Sequence, residues 1–253
     1  MLAHERQELI LATMRKTHSI RIGDISKQFG VSIETARRDL DYLQNRGYLR
    51  RTHGGAVLIQ QDHAALTPPE ASARANSSRD NLFETAANYV HDGNTLFIGH
   101  GSTMYHFSKS LAKKNNLTVF TNSLLVINEM VGGKSSVFAL GGMVDPDESN
   151  MNGSIPIYVS QQFFVDKAFI SCGGISSDGV ITDYHNDTTL YKTMLKQARK
   201  KYLIADSSKF GRTTFGRVCN LSDFDAIITD SNLPQSFQEM IRQYNIDLIK
   251  SNL

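Results

Sequence analysis

The sequence contains few cysteines, no tryptophan and no long hydrophobic run. Its two cysteines, Cys172 and Cys219, stand in no metal-binding or redox spacing, which favours buried, inert thiols in a reducing cytoplasm. No apolar segment approaches the ~18 residues that a membrane helix needs. Residues 1–8 mix acids with bases and lack the apolar stretch of a signal peptide. These absences predict a cytoplasmic protein without a membrane partner.

Net charge is also small, because 27 Lys and Arg residues are nearly balanced by 25 Asp and Glu residues. The distribution of these charges is uneven. Residues 1–58 hold ten basic and six acidic residues, whereas residues 59–253 hold seventeen and nineteen. A positive first segment is what binding to a polyanion requires, although the excess is modest.

The first segment predicts three short helices and a basic hairpin. Gly30 suits the end of the second helix, since a left-handed backbone costs glycine little, and Ser32 is a good N-cap for the third. This order of elements is typical of a winged helix-turn-helix domain over residues 1–58, a DNA-binding module. The predicted bounds are residues 5–16, Ile22–Phe29, Ser32 to Gly47, and 48–58 for the hairpin.

The third predicted helix separates an apolar stripe from a polar outer face. Arg38 lies diametrically opposite the stripe, so this side chain is expected to enter a DNA major groove and bind guanine. Arg37 lies at the border of the stripe, where it is expected to contact a phosphate or to pair with an acid such as Asp41. The stripe spans about 80° of arc and consists of Ile33, Ala36, Leu40 and Leu43.

Further DNA contacts are predicted beside this helix and on the hairpin. Hydroxyl groups near a helix N-terminus can bind phosphate, and basic hairpin residues can contact the backbone or the minor groove. A pair of arginines on an amphipathic helix is more often a solvated face. This pair, however, follows a Gly-Val-Ser turn and precedes a basic Gly-Gly hairpin, which favours DNA. The remaining predicted contacts are Ser32, Thr35, Tyr42, Arg50, Arg51, His53 and Gly54.

Residues 59–78 are rich in proline, polar and small residues and predict a linker. Residues 79–253 then alternate strand-like and helical segments, which predicts an α/β domain with a mostly parallel sheet covered on both faces. The predicted strands are Thr95–Ile98, Leu117–Thr121, Ser136–Leu140, Lys167–Cys172, Lys201–Ala205, Ala226–Thr229 and Asp247–Ile249. The predicted helices lie near residues 82–91, 103–113, 124–131, 155–164, 188–200 and 234–244.

Three polar loops each follow a predicted strand of this domain. Backbone N–H groups beside glycine, hydroxyl donors and a following helix N-terminus together bind anions, and such loops gather at the carboxyl edge of a parallel sheet. A phosphorylated small molecule is therefore the expected occupant, and Lys209 beyond another strand could add a full charge. The loop residues are Gly101, Ser102 and Thr103, then Thr121, Asn122 and Ser123, then Gly141 and Gly142.

The chain resembles the DeoR family of bacterial sugar-metabolism regulators along nearly its full length. In the first segment the resemblance is carried by Thr35-Ala36-Arg37-Arg38-Asp39-Leu40 and Arg51-Thr52-His53-Gly54-Gly55-Ala56. Ala36 stands where the family usually has isoleucine. The second segment matches at Gly101-Ser102-Thr103, Thr121-Asn122-Ser123, Gly141-Gly142, Asp166-x-Ala168-Phe169, Asp206-x-x-Lys209-Phe210-Gly211 and Ile228-Thr229-Asp230.

The resemblance implies an α/β sensor domain similar to the sugar-phosphate isomerase and glucosamine-phosphate deaminase folds. It further implies a phosphorylated sugar as effector. The implied ligand shell is Ser102, Thr103, Thr121, Asn122, Ser123 and Lys209. Gly99 replaces an aspartate that is usual before the Gly-Ser-Thr element, and Asp187 replaces a glutamate.

A ligand-controlled regulator is the function expected from these features, namely a repressor of a carbohydrate operon that binds duplex DNA as a homodimer or homotetramer. It is expected to be no enzyme and to need no cofactor or metal. Activation instead of repression stays open. The alternative is an isomerase-like or deaminase-like enzyme with a DNA-targeting head, for which Asp206, Asp187 and His100 are the candidate bases.

Overall fold

A computed structural model describes residues 3–17, 19–45, 49–52, 54–58, 73–146, 148–183, 188–214 and 216–251. The chain divides into two compact units, residues 1–67 and 68–253. Within the described ranges, no helix combines the length and the apolar character that crossing a membrane would demand.

The first unit consists of three helices and a small antiparallel sheet, as the sequence predicts. Strand β1 was not predicted, because three residues are too few to show alternation. The sheet order is β1-β3-β2. The bounds are α1 Ala3–Thr17, β1 Ser19–Arg21, α2 Ile22–Phe29, α3 Ile33–Asn45, β2 Leu49–Thr52 and β3 Gly55–Leu58.

The turn between α2 and α3 is fixed by local hydrogen bonds. Gly30 has φ 63° and ψ 35°, and its N–H donates to the carbonyl of Ser26. The Ser26 hydroxyl donates to the carbonyl of Val31 at 2.7 Å. The N–H of Thr35 donates to the Ser32 hydroxyl at 3.1 Å, which makes Ser32 the N-cap of α3. Both predicted helix boundaries are confirmed.

A seven-stranded sheet forms the centre of the second unit, and its members are the seven strands predicted from the sequence. All neighbouring pairs in this sheet are parallel. The strands are β4 Thr95–Ile98, β5 Thr118–Thr121, β6 Ser136–Ala139, β9 Val165–Ile170, β12 Ala198–Ile204, β14 Ala226–Thr229 and β15 Asp247–Lys250. Their order is β15-β14-β12-β9-β4-β5-β6.

In the described part of this unit, six helices connect and cover the sheet strands. They are α4 Ala73–Ala87, α5 Ser102–Ser110, α6 Leu124–Met130, α7 Ser154–Ser160, α8 Thr189–Gln197 and α9 Gln235–Gln243. Adjacent strand residues enter opposite cores, with Leu96 and Ile98 on one face and Phe97 on the other. Both faces of the sheet are therefore buried, which explains why its strands read as continuous apolar runs.

Five short strands outside the central sheet were not predicted. They are β7 Met143–Asp145, β8 Asn150–Asn152, β10 Gly174–Ile175, β11 Val180–Asp183 and β13 Gly216–Asn220. Strands β7 and β8 form an antiparallel ribbon, and β10, β11 and β13 form a three-stranded sheet. Their pairing partners lie in loops whose lengths give no periodic signal, so only tertiary contacts define them.

Several predicted bounds differ from the structure by a few residues, and two stretches were assigned to the wrong kind of element. Residues 73–78, assigned to the linker, begin α4, because alanines and an arginine favour a helix and the following apolar side chains anchor it. Residues 198–200, assigned to a helix, begin β12, since Ala198 and Lys200 pair with β9. Residues 59–72 lie outside the described residues.

Candidate DNA interface and ligand cleft

The outer face of α3 is supported by a buried stripe. Ala36, Leu40 and Leu43 are buried in the core of the first unit. Ile33, predicted to belong to this stripe, is exposed. The reason is that the first turn of α3 extends beyond the packed core, where Ser32 and Glu34 are exposed as well. The stripe therefore begins one turn later than predicted.

Arg38 projects from this helix away from the buried stripe, as its helical angle predicts. Its side chain is 81% exposed, and its Nε lies 4.0 Å from Oε1 of Glu34. Arg37 Nη1 lies 3.5 Å from the other carboxylate oxygen of Glu34. The acid beside Arg37 is therefore Glu34 and not Asp41, the example that helical spacing suggested, because Asp41 pairs with Arg51. Glu34 thus stands between two guanidinium groups that a phosphate could attract.

Arg51 fastens the wing to α3. Its Nη1 donates to the carbonyl of Arg37 at 3.1 Å and forms a close ion pair with Asp41. Its backbone N–H donates to Oε1 of Gln44 at 2.8 Å. The predicted contact of Arg51 with the DNA backbone competes with these bonds, so in this structure the side chain positions strand β2. The adjacent Arg50 is exposed on the same strand.

The other predicted DNA contacts are distributed around this face. The hydroxyls of Ser32 and Thr35 hydrogen-bond to each other at 2.9 Å, and Tyr42 is exposed. Gly54 is exposed at the hairpin turn, where its carbonyl accepts the N–H of Ile22 at 2.9 Å. His53 lies outside the described residues.

A buried ion pair supports α3 from the opposite side. Arg6 Nε donates to Oδ2 of Asp39 at 2.6 Å, and Nη2 donates to Oδ1 at 3.1 Å. The side-chain amide of Gln7 donates to the same Oδ1 at 3.0 Å. Hydrogen bonding to the Asp39 carboxylate raises the pKa of Arg6. Sequence reasoning missed this pair, although Arg6 precedes the buried Ile10 by four residues and therefore shares its helical face.

In the second unit, the predicted loops converge at one edge of the parallel sheet. They follow β4, β5 and β6, which are neighbours in the sheet, so their carboxyl ends meet at the same edge. Lys209 lies beyond β12, in a 3₁₀ turn over Ser207–Lys209, and is partly exposed. That turn is capped by Asp206, whose carboxylate accepts the N–H of Ser208 at 2.9 Å. Asp206 is one of the candidate bases of the enzyme alternative, and this bond engages one oxygen of its carboxylate.

A cleft with an empty volume of about 380 Å³, its open mouth included, lies beside this edge. Among the predicted effector residues, Asn122 belongs to the described lining of this cleft. Its Nδ2 donates to the carbonyl of Met151 at 3.2 Å, and its Oδ1 is buried without a hydrogen-bond partner. Such an oxygen is suited to accept a hydrogen bond from a ligand. The other polar lining residues are His100, Asn152, Asp183, Thr188 and Tyr191.

Several predicted effector residues serve the structure of the loops. The Thr121 hydroxyl accepts the N–H of Ser123 at 3.0 Å, and the Ser123 hydroxyl accepts the N–H of Val126 at 3.3 Å and caps α6. Gly142 has φ 118°, and a Cβ there would lie 2.5 Å from the carbonyl of Asn152. Gly101 is the N-cap residue of α5, whose first residues Ser102 and Thr103 are partly buried.

Tyr191 of α8 holds the loop that follows β4. Its hydroxyl accepts the backbone N–H of His100 at 3.0 Å and lies 2.9 Å from His100 Nδ1. A Cβ at Gly99 would lie only 2.8 Å from the same hydroxyl. Burial raises the pKa of Tyr191, as does the negative charge of Asp183, so the phenol is neutral. Sequence reasoning missed this contact, because nothing in the chain indicates a pairing across 91 residues.

The last candidate base of the enzyme alternative is Asp187. Asp187 lies outside the described residues. Within those residues no group of three or more His, Cys, Asp or Glu side chains is placed to hold a metal ion.

Comparison with known proteins connects both units to one family. The model of the DeoR-like helix-turn-helix domain matches residues 6–62, and that of the DeoR C terminal sensor domain matches residues 76–231. The uncharacterized HTH-type regulator YulB of Bacillus subtilis is 32% identical over 92% of this chain and 91% of its own.

Two further relatives have names that refer to sugars. The lactose phosphotransferase system repressor of Streptococcus mutans is 30% identical over 97% of this chain and 99% of its own. The L-fucose operon activator of Haemophilus influenzae is 29% identical over 95% of this chain and 97% of its own. Both are similar to this chain across the two units.

One solved structure shows the fold of the chain. The tetrameric eIF2B-beta2-delta2 complex from C. thermophilum matches 95% of this chain and 79% of its own, with a TM-score of 0.51 at 13% identity. Its chains have the isomerase/deaminase-like fold, so the predicted fold class is confirmed.

Proposed function

Because this chain belongs to the DeoR family of helix-turn-helix transcriptional regulators, we propose that it represses a carbohydrate-utilisation operon and that a phosphorylated sugar controls its binding to DNA. The family consists of DNA-binding regulators and not of enzymes. The observation that carries the proposal is the position of Arg38, which is 81% exposed on a helix whose opposite side is buried.

The DNA-binding step follows from the geometry of the first unit. Helix α3 enters the major groove with Arg38 toward a guanine edge, while Arg37 contacts a phosphate after leaving Glu34. Ser32 and Thr35 offer hydroxyl donors at the helix N-terminus. The wing, which Arg51 holds against α3, brings Arg50 and Gly54 to the DNA backbone. His53 and Tyr42 complete the proposed contact set.

The effector site is proposed at the carboxyl edge of the parallel sheet. The phosphate group of the effector would accept hydrogen bonds from donors of the three loops. The rest of the sugar would extend into the cleft, where Oδ1 of Asn122 is available to a ligand hydroxyl. Relatives named for lactose and fucose systems support a sugar as the ligand class. The proposed effector contacts are Gly101, Ser102, Thr103, Thr121, Asn122, Ser123, Gly141, Gly142 and Lys209.

The proposed regulator works as a homodimer or homotetramer in the cytoplasm, where its DNA lies. Two heads of a symmetric dimer reach half-sites about 34 Å apart along the duplex. The effector must bind the DNA-bound and DNA-free arrangements with different affinities, since a ligand of equal affinity shifts no equilibrium. The enzyme alternative has no comparable support, because the family is one of regulators.

Selection of bound duplexes from a random pool tests the DNA proposal. The protein is expected to enrich a sequence with two related half-sites, and Arg38→Ala is expected to lose that preference. Arg199→Ala is the matched control, since this arginine is 80% exposed in the second unit. Enrichment of the same sequence by the Arg38→Ala variant would contradict the assignment of α3.

A thermal-shift screen that pairs each sugar phosphate with its unphosphorylated sugar tests the effector proposal. A binder at 100 times its Kd stabilises the protein by about 2.7 kcal/mol. Asn122→Ala should lose the shift, whereas Asn88→Ala, an exposed asparagine after α4, should keep it. Equal shifts by the phosphorylated and free sugars would contradict the proposed phosphate site.

A promoter–reporter assay with the selected operator tests the sign of regulation. Repression predicts higher reporter expression when the gene for the regulator is deleted. The L-fucose operon activator among the relatives shows that the opposite sign occurs in similar proteins. A fall of expression on deletion would make this protein an activator.

A further inference from the structure

Four large apolar side chains are exposed together on the ribbon β7–β8 and on α7. Each is between 51% and 76% exposed: Met143, Val144, Ile155 and Tyr158. Met143 and Val144 are consecutive strand residues, so they point to opposite faces of the ribbon. Strand β8 of this ribbon is buried at Asn150 and Met151, so the exposed apolar side chains of the ribbon are those of β7. These four residues are called the α7 face below.

The ribbon and the helix are held together tightly. A Cβ at Gly142 would lie 2.9 Å from Cδ of Pro156, and a Cβ at Gly141 would lie 3.5 Å from Cγ2 of Ile155. The chain that precedes Met143 therefore packs directly against the first turn of α7. Ile155 and Tyr158 are three residues apart on that helix and lie on the same side of it. The ribbon and α7 therefore form one packed element, which carries all four side chains of the α7 face.

Charge is missing from the helical part of this face, whereas Asp145, Asp147 and Glu148 follow Val144 in the chain. Residues 149–165, which include the whole of α7, contain no Asp, Glu, Lys or Arg. Each of the five other α-helices described in the second unit carries at least one charged residue. Depletion of charge is the compositional mark of the centre of a protein interface, whereas a helix that faces water is expected to be charged.

The extent of the α7 face fits association between two protein chains. Its four side chains are each more than half exposed and present on the order of a few hundred Å² of apolar surface, a substantial part of the ~800 Å² that one partner contributes to a stable dimer. Tyr158 is the kind of central aromatic residue on which interface energies concentrate. Surrounding uncharged residues such as Gln161 and Gln162 are exposed and would supply a polar rim.

We infer that the α7 face is the surface through which the second unit binds a second copy of this chain. The inference rests on the proposed function in one respect, since a regulator that reads two half-sites needs two copies. A twofold axis brings the same patch of both copies together. The four apolar side chains themselves place no like charges opposite one another across such an axis.

This position also connects the interface to the cleft. Pro156 and Ile157 of α7 line the cleft, while Ile155 and Tyr158 of the same short helix face outward. Asn152 and Gly153, just before α7, line the cleft as well. A ligand that shifts this helix would change the contact between two copies, which is the differential contact that allosteric control requires.

Sedimentation of the full-length protein without DNA or ligand tests the inference. The wild type is expected to sediment as a dimer or a larger assembly. Tyr158→Glu and Met143→Lys are expected to weaken association by at least ~10-fold. Val131→Glu is the matched control, since Val131 is 66% exposed, against 67% for Tyr158. Val131 lies before β6 in the chain, whereas the residues of the α7 face lie after β6. A monomeric wild type, or variants that associate like the wild type, would overturn the inference.

A charged variant that loses its far-UV circular dichroism signal has not folded and cannot report on association. Cross-linking provides the second test in that case. In a Cys219→Ser background, Tyr158→Cys with a short bis-maleimide should give a covalent dimer, and Val131→Cys should not. Absence of a Tyr158→Cys dimer would overturn the inference. These outcomes are separate from the proposed function, because a protein that selects an operator but associates through another surface would keep its function and lose only this interface.

Discussion

Arg6 and Asp39 join α1 to α3 through two hydrogen bonds inside the core of the first unit, with only 9% and 4% of the respective side chains exposed. The helix that carries Arg38 is therefore fixed from its buried side by an ion pair. Removing one partner leaves an uncompensated buried charge, which costs more than the intact pair contributes.

Asp39→Ala is expected to destabilise the first unit by about 3 kcal/mol. Because the chain has two units and no tryptophan, hydrogen exchange of peptides from α1 and α3 is the suitable measurement. The double variant Arg6→Met, Asp39→Leu should recover much of the protection, since it removes both charges together. Unchanged exchange in Asp39→Ala would show that the pair does not support the helix.

Arg38 and Arg37 are expected to differ in how their loss affects DNA binding. Arg38→Ala should cost about 1–3 kcal/mol on the selected operator and little on unrelated duplex, because a lost base contact reduces discrimination. Arg37→Ala should weaken binding to all sequences and reduce the salt slope by about one, because it removes a phosphate contact. Titrations at several salt concentrations measure both effects. Equal losses on operator and unrelated DNA for Arg38→Ala would contradict base readout.

Gly99→Ala is expected to displace the Tyr191 hydroxyl, since the added Cβ would lie 2.8 Å from it. The partly buried hydrogen bonds to His100 would be strained or lost, at a cost of about 1–3 kcal/mol. Thermal unfolding measures the loss, and the sugar-phosphate shift should shrink in parallel because His100 and Tyr191 line the cleft. Gly23→Ala is the control, since its Cβ would meet nothing within 4 Å. A Gly99→Ala variant with wild-type stability would show that the loop adapts.

Because both thiols have raised pKa values in the folded protein, we expect the free energy of unfolding to decline in alkaline solution. Burial raises the pKa of Cys219 to about 12, and it raises that of Cys172 even more. Above pH 9 the unfolded chain therefore releases thiol protons that the folded chain retains. The free energy of unfolding should fall by up to about 1.4 kcal/mol per pH unit for each thiol. Urea denaturation at pH 8 and pH 10 measures this slope.

The Cys172→Ala, Cys219→Ala variant should show a shallower slope over the same pH range. In the folded wild type, neither thiol should react with a maleimide or disulfide reagent at pH 8, since the thiolate is the nucleophile. Rapid labelling of buried Cys172 in the folded protein would contradict the burial on which both expectations depend.

Local patterns were sufficient for the framework of both units. The helix pair and its caps follow from Gly30, Ser32 and a 3.6-residue apolar spacing, each of which acts within a few residues. The seven strands of the parallel sheet follow from short apolar runs separated by helical segments. Arg38 could be placed on the outer face because a helix fixes angles without reference to the rest of the chain.

The partners of individual side chains were decided by the tertiary structure. Helical spacing favoured Asp41 as the partner of Arg37, but Arg51 arrives from the wing and takes Asp41, which leaves Arg37 to Glu34. Likewise, no local pattern connects Tyr191 with His100. The sequence by itself determined the main helices and the seven strands of the parallel sheet, because those preferences act over neighbouring residues, whereas the short outer strands depended on tertiary pairing. Folding alone decided which distant polar groups meet, since that depends on how separate segments pack.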